Sequence, residues 1–291
     1  MKLILGTVQL GLSYGINNSN GKPKPEDAYN ILHQGYESGI RILDTAEAYG
    51  SAHEIIGNFH KLNPELKFKV ITKISPSETI SDIGKKVIFF INTLHVNSLE
   101  AIMFHSFESY LNNKEVLPCL VELKKSGLIK QIGVSAYKNE EIELLINDCL
   151  IDLIQIPFNI LDNFSIRGKL MEEAKIKGKT IHTRSAFLQG LFFMNPNDNH
   201  PVINSLKIPL MKIQNISDES GYSIPSIALN YCIQQKYIDK VLVGVDSADQ
   251  LKINIQAIKT PLPDDIIKSI NKIVVEDINL LNPSLWKFLK H

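Results

Sequence analysis

Eight short apolar runs, each followed by residues with helical spacing, restrict the fold of this chain more than any other feature. The runs are Leu3 to Thr7, a stretch through Ile40, Ile42 and Leu43 that ends at Asp44, Lys67 to Lys73, Leu99 to His105, Ile129 to Ser135, Asp152 to Ile156, Thr180 to Arg184, and Lys240 to Gly244. Between them, helices are expected at Pro25 to Ser38, Ala52 to Phe59, about Ile80 to Leu94, Val116 to Lys125, Glu140 to Asp148, Gly168 to Lys177, Pro225 to Gln235 and Ser247 to Ile258. Strict strand–helix alternation favours a parallel sheet, and eight units in 291 residues is the arithmetic of an α/β protein of the (β/α)8 TIM-barrel class. An extra C-terminal helix is expected from Asp264 to Val274, after Pro261-Leu262-Pro263. No repeat or linker interrupts the pattern, so residues 1–291 are expected to form one domain. A doubly wound sheet is the competing architecture, and it would want a G-x-G-x-x-G turn that the chain lacks.

Composition narrows the function classes. Lys plus Arg and Asp plus Glu both number 31, so no global field draws the chain to nucleic acid or an anionic membrane. Local basic pairs such as Lys85-Lys86 and Lys124-Lys125 read as solvated helix faces. No window approaches the roughly 20 apolar residues of a membrane helix. Met1 to Gly11 lacks the pattern of a targeting signal, which makes the cytoplasm the expectation. Cys119, Cys149 and Cys232 are odd in number and widely spaced in apolar surroundings. They are expected to be buried thiols in a reducing compartment, not a disulfide framework or a zinc site. No His/Cys/carboxylate cluster has metal-ligand spacing, and Ser135 does not sit in a G-x-S-x-G elbow.

The strand ends carry the chemistry. Asp44 closes the second run and Tyr49 follows before Gly50; Lys73 and His105 close the third and fourth. In a parallel barrel these ends meet on one face. A phenol is a weak acid and a weak base at neutral pH. An adjacent ammonium stabilises the phenolate, and a carboxylate keeps that ammonium charged despite burial. An imidazole beside them can donate a hydrogen bond to a carbonyl oxygen or relay a proton. Such a set suits the protonation of an alkoxide as a carbonyl is reduced, or the reverse reaction. His53, His60, His95 and His182 have no such company and read as structural or exposed.

These segments resemble the aldo-keto reductase superfamily over nearly the whole chain. The signature Asp-Thr-Ala-x-x-Tyr-Gly stands at Asp44 to Gly50, with Glu54 and Gly57 after it. Thr72-Lys73 and His105 follow in order, then Gly127 to Ser135, Gln155-Ile156-Pro157-Phe158-Asn159, and Gln250-Leu251 with Asn254. The resemblance implies an oxidoreductase that reduces an aldehyde or ketone with a nicotinamide cofactor, usually NADPH with NADH as the alternative. It also implies roles. Tyr49 would be the general acid/base, tuned by Lys73 and Asp44, and His105 would orient the carbonyl. Ser135 and Gln155 would hold the carboxamide, and Asp44 often touches the nicotinamide ribose. Leu188, Gln189 and Gly190 would wrap the pyrophosphate, and Gly244, Ser247 and Asn254, with Gln250 nearby, would lie at the adenosine end. Gly6, Thr7 and Ser185 complete the expected cofactor contacts.

The chain departs from the family pattern in four places. Ala136 replaces a common Asn after the strand-five serine. Arg184 stands where many relatives place an aromatic ring under the nicotinamide. Gly244 to Asn254 lacks the arginine typical of strong 2′-phosphate readers, and Lys252 is its only cation. With a first strand at Leu3, an N-terminal hairpin closing the barrel bottom is not expected. The loops around Gly6 to Asn18, His105 to Phe107 and Arg184 to Gly190 resemble a bacterial branch that often accompanies polysaccharide and nucleotide-sugar pathways. Together with an expected polar mouth of Gln9, Tyr14, Asn159 and Arg184, that makes a sugar-like small-molecule carbonyl the expected substrate. Two alternatives on the same barrel are a catalytically silent nicotinamide-nucleotide sensor or subunit, and an isomerase or lyase using Tyr49 and His105. The sequence leaves the oligomeric state open.

Overall fold

The computed structural model describes every residue except 17, 19, 20, 76–81 and 289–291. Eight parallel strands close into a barrel in chain order: β1 (Leu3–Gly6), β2 (Ile42–Asp44), β3 (Lys69–Ile74), β4 (Ala101–Phe104), β5 (Ile132–Ser135), β6 (Leu153–Pro157), β7 (Thr180–Arg184) and β8 (Lys240–Gly244). Closure is made by β1 on β8, where Leu3 pairs with Val241 and Gly6 with Gly244. The connecting helices are α1 (Val8–Gly11), α2 (Pro25–Glu37), α3 (Ala52–Leu62), α4 (Ile83–Leu94), α5 (Phe107–Asn112), α6 (Leu117–Lys125), α7 (Asn139–Asn147), α8 (Phe164–Ile176), α9 (Pro201–Ser220), α10 (Ile224–Ile233) and α11 (Ala248–Ala257), with α12 (Asp264–Asn271) beyond them. Among the described residues no helix is long and apolar enough to cross a membrane.

Two buried layers follow from the strand period of two. Ile4, Ile71, Ala101, Met103 and Leu153 fill the barrel interior, with Ile42 and Leu242 packed against them. Their neighbours, such as Leu3, Leu5, Val70, Ile102 and Ile154, face the surrounding helices. Gly133 belongs to the inner layer's geometry, because a Cβ there would come within 2.9 Å of Met103 Cγ and Leu153 Cδ2. With both faces buried, the strands read as near-continuous apolar runs.

Several expectations need correction. The helix expected from about Ile80 begins at Ile83 after its cap, Asp82, while residues 80 and 81 lie outside the described residues. α8 starts four residues before Gly168, capped by Asn163, whose side chain accepts from Ser165 N. α12 stops at Asn271, short of Val274. The longest helix, α9, is absent from the sequence reading. Its buried residues Val202, Ile203, Leu206, Leu210 and Ile213 do keep helical spacing. Pro209 lies inside it, where a proline removes one ladder hydrogen bond. Cys232 is buried, but Cys119 and Cys149 are exposed, contrary to expectation, because each falls on the solvent side of its segment. Lys86 is not a free surface charge: its Nζ lies 2.8 Å from Glu47 Oε1, and the pair is largely shielded.

Candidate active site

The barrel parity selects which strand-end side chains meet. Two residues beyond the inner-layer Ile42, Ile71, Met103 and Leu153 come Asp44, Lys73, His105 and Gln155. The same step leads from Gly133 to Ser135, His182 to Arg184, Leu242 to Gly244 and Ile4 to Gly6. Each therefore points inward at the C-terminal mouth. Nearly all of them line one cavity of about 520 Å³, a volume within the usual range for small-molecule sites.

At its floor, the Lys73 ammonium forms a charge-assisted hydrogen bond to Asp44 Oδ1 and another, of 3.2 Å, to Thr45 O. Both side chains are almost fully buried, 2% and 1% exposed. Gln155 Nε2 donates to the other carboxylate oxygen, Asp44 Oδ2, at 2.8 Å. Burial opposes the charge on Lys73, but the Asp44 carboxylate and then Tyr49 outweigh it and hold its pKa above the ordinary value.

Tyr49 sits above this pair. Its ring centroid is 5.2 Å from Lys73 Nζ and 5.6 Å from the His105 ring, which meets it edge-on at 84°. The turn that carries it is formed by Tyr49 N bonding to Ala46 O and by Gly50 at φ 54°. α1 packs under this turn so closely that a Cβ on Gly11 would lie 1.7 Å from Tyr49 O. Burial, then the Lys73 ammonium, push His105 down to about 4, so its imidazole is neutral at physiological pH and carries one N–H. Its Nδ1 has no hydrogen-bond partner.

Of the residues expected to contact cofactor, Gly6, Ser135, Gln155, Arg184, Ser185, Gln189, Gly190, Gly244, Gln250 and Asn254 line the cavity, as do Tyr49, Lys73 and His105. Asp44, Thr7, Leu188 and Ser247 do not reach its wall. Asp44 is covered by Lys73 and Gln155. Thr7 is buried with Oγ1 donating to Asp44 O at 3.1 Å. Leu188 is a core residue, and Ser247 caps α11 by accepting from Gln250 N. Asn159, expected at the mouth, is fully buried; its Oδ1 accepts from Leu161 N and Asp162 N, and its Nδ2 donates to Ser185 O. It shapes the β7 loop from behind.

The mouth is also more aromatic than expected. Tyr137, Phe187 and Phe193 join Tyr49 and the expected Tyr14 on the wall. Tyr137 stands two residues past β5, so the strand-end rule could have found it. Phe193 could not be found that way, because it closes a 3-10 segment, Leu188–Phe193, in which Leu188 and Gln189 take positive φ. The Arg184 guanidinium stacks 3.9 Å over the Tyr137 ring, and its Nε donates to Ser135 Oγ at 3.2 Å.

Could these residues hold a nicotinamide dinucleotide? Four cavity-lining side chains keep a buried polar atom without a partner: Gln9 Oε1, His105 Nδ1, Gln155 Oε1 and Arg184 Nη2. Unmet donors and acceptors of this kind are costly unless a ligand meets them. Gln155 is the clearest case, with its amide nitrogen fixed on Asp44 and its oxygen left to accept. An amide-bearing, anionic ligand fits that donor and acceptor set.

The sequence model of the Aldo/keto reductase family matches residues 2–275. L-galactose dehydrogenase of Arabidopsis thaliana is 24% identical over 259 residues, covering 82% of this chain and 80% of that protein. D-arabinose 1-dehydrogenase of Saccharomyces cerevisiae is 23% identical over 278 residues, 86% and 81% of the two chains. Among solved structures, an aldo-keto reductase from Bacillus halodurans in its holo form superposes with a TM-score of 0.73 at 20% identity, over 94% of this chain and 92% of that one. A family match from β1 to past α12, on a barrel whose mouth gathers an acid, a lysine, a phenol and an imidazole, places this chain among the aldo/keto reductases, and it is an oxidoreductase of that family.

Proposed function

We propose that the chain reduces the carbonyl of a small sugar or sugar-like molecule to an alcohol, with Tyr49 as the general acid. The observation that carries the reading is the stack of Asp44, Lys73 and Tyr49 beneath the cavity, with neutral His105 at the edge of the phenol ring. A reduced nicotinamide, when bound, supplies a hydride to the carbonyl carbon. Tyr49 Oη gives its proton to the carbonyl oxygen as negative charge develops there. The Lys73 ammonium, kept charged by Asp44, stabilises the phenolate left behind. His105 donates its single N–H to the same oxygen and fixes its direction. Gln155 and Ser135 present groups suited to a carboxamide, with Gln155 Oε1 as acceptor. Gln189, whose Nε2 donates to Tyr14 Oη at 2.9 Å, and Gly190 line the cavity and would wrap the rest of the nucleotide.

Sugar-like substrates are supported by the wall itself. Gln9, Tyr14 and Arg184 offer hydrogen bonds, and Tyr137, Phe187 and Phe193 offer flat apolar faces, the mixture that suits a polyol with one apolar side. The two named relatives act on sugars by their names, which points the same way. Absorbance at 340 nm, followed with a panel of aldoses, keto-sugars and hydrophobic aldehydes, tests the proposal. Turnover of the sugars at least tenfold more efficient than of the hydrophobic aldehydes is expected; the reverse order refutes it.

A further inference from the structure

The end of the cavity formed by β8 and α11 has a charge that bears on which dinucleotide the site accepts. Asp246, two residues beyond Gly244, lines the wall there. Asn18 Nδ2 donates to its Oδ1 at 3.2 Å, and its backbone N–H is held by Gln250 Oε1 at 2.8 Å. Its second carboxylate oxygen makes no hydrogen bond among the described residues, and partial burial raises the carboxyl's pKa above its usual range. The neighbouring wall residues Gln250, Ile253 and Asn254 carry no charge.

No cation offsets this carboxylate among the described residues of that end. Lys252 is off the wall, exposed and paired with Asp249 at 3.3 Å. Lys22, on the same loop as Asn18, is likewise off the wall and bonds Ser51 Oγ at 2.5 Å. Arg184 is on the wall but is held toward β5 by Ser135 and Tyr137.

We infer that the site takes NADH in preference to NADPH, with Asp246 as the residue that sets the choice. The inference rests on the nicotinamide reading above. With the nicotinamide against Tyr49, the remainder of the ligand has the wall from the β7 loop to β8 and α11 to occupy. A ribose 2′-hydroxyl there donates to a carboxylate, the arrangement acidic residues use to select NAD in other folds. A 2′-phosphate in the same place brings close to two negative charges against Asp246 in a partly desolvated setting. The NADPH expected from family resemblance gives way to NADH on this ground.

Isothermal titration calorimetry with each reduced nucleotide tests it without turnover. NADH is expected to bind at least tenfold tighter than NADPH to the unaltered chain. Gln250→Arg, which puts a cation beside Asp246, is expected to tighten NADPH at least tenfold, and Asp246→Ser to narrow the gap. Equal or tighter binding of NADPH by the unaltered chain overturns the inference and leaves the nicotinamide reading intact. Binding of neither nucleotide overturns both.

Discussion

Replacing Lys73 by Met should expose how much of this barrel's stability hangs on one buried ion pair. Lys73 and Asp44 are 2% and 1% exposed, so neither charge has water to fall back on. Removing the ammonium leaves the Asp44 carboxylate with only the Gln155 amide as a side-chain partner. Uncompensated buried charges of this kind cost about 3–5 kcal/mol. At about 2–3 °C per kcal/mol for a chain of this size, the melting midpoint should drop by roughly 6–15 °C. Asp44→Asn should cost a similar amount, while the double variant should lose less than the sum, because no charge is then stranded. The pH dependence has a definite sign. The folded pKa of Lys73 is raised, so its contribution is complete below the unfolded value of about 10.4 and is lost only as pH climbs through the folded value. Urea unfolding of the four proteins at pH 7, repeated between pH 9 and 11, measures both effects. Single-variant losses below 1 kcal/mol that simply add would refute the argument.

Tyr49→Phe should lower turnover by about 10²–10⁴-fold, the usual scale for general acid catalysis, with nucleotide affinity by calorimetry unchanged within threefold. Because His105 is held at about 4, the profile of turnover against pH should show no His105 inflection near 6.5; an inflection removed by His105→Asn would contradict its neutral assignment. His182, buried inside the barrel and also pushed down to about 4 by burial, makes the unfolded chain the better proton acceptor between pH 6.5 and 4. Stability should therefore decline over that window, and less steeply for His182→Leu in parallel urea titrations. Gly11→Ala forces a methyl into the space held by Tyr49 O, 1.7 Å from the added carbon. Its kcat should fall at least tenfold although residue 11 touches no wall of the cavity, and an unchanged kcat would show that the turn yields at little cost.

The barrel was legible because strand–helix alternation depends on local periodicity, which tertiary contacts rarely overrule. The chemical residues were legible for a related reason: Asp44, Lys73 and His105 all sit at the ends of apolar runs, where parity alone aims them inward. What sequence could not supply was the distinction between a residue near the mouth and one on its wall. Thr7 and Asn159 stand at strand ends too, yet their side chains turn to bond backbone groups instead of facing the cavity. Phe193 reaches the wall through loop geometry that no period encodes. α9 is an extra helix between β7 and α10, so the strict strand–helix alternation does not demand it.

The two-residue step from inner-layer side chain to mouth side chain, repeated on all eight strands, also governs how such a protein can change. Inserting or deleting one residue inside a strand would turn its mouth group outward among the helices, so the ring of functional positions can vary only by substitution. The segments that begin just past that ring are under no such rule. α5 after β4 and the 3-10 turn after β7 can lengthen, shorten or be exchanged without rotating Lys73, His105 or Gln155. New substrate ranges in this chain's descendants are therefore expected to arise by editing of those connections, with the acid/base group inherited intact.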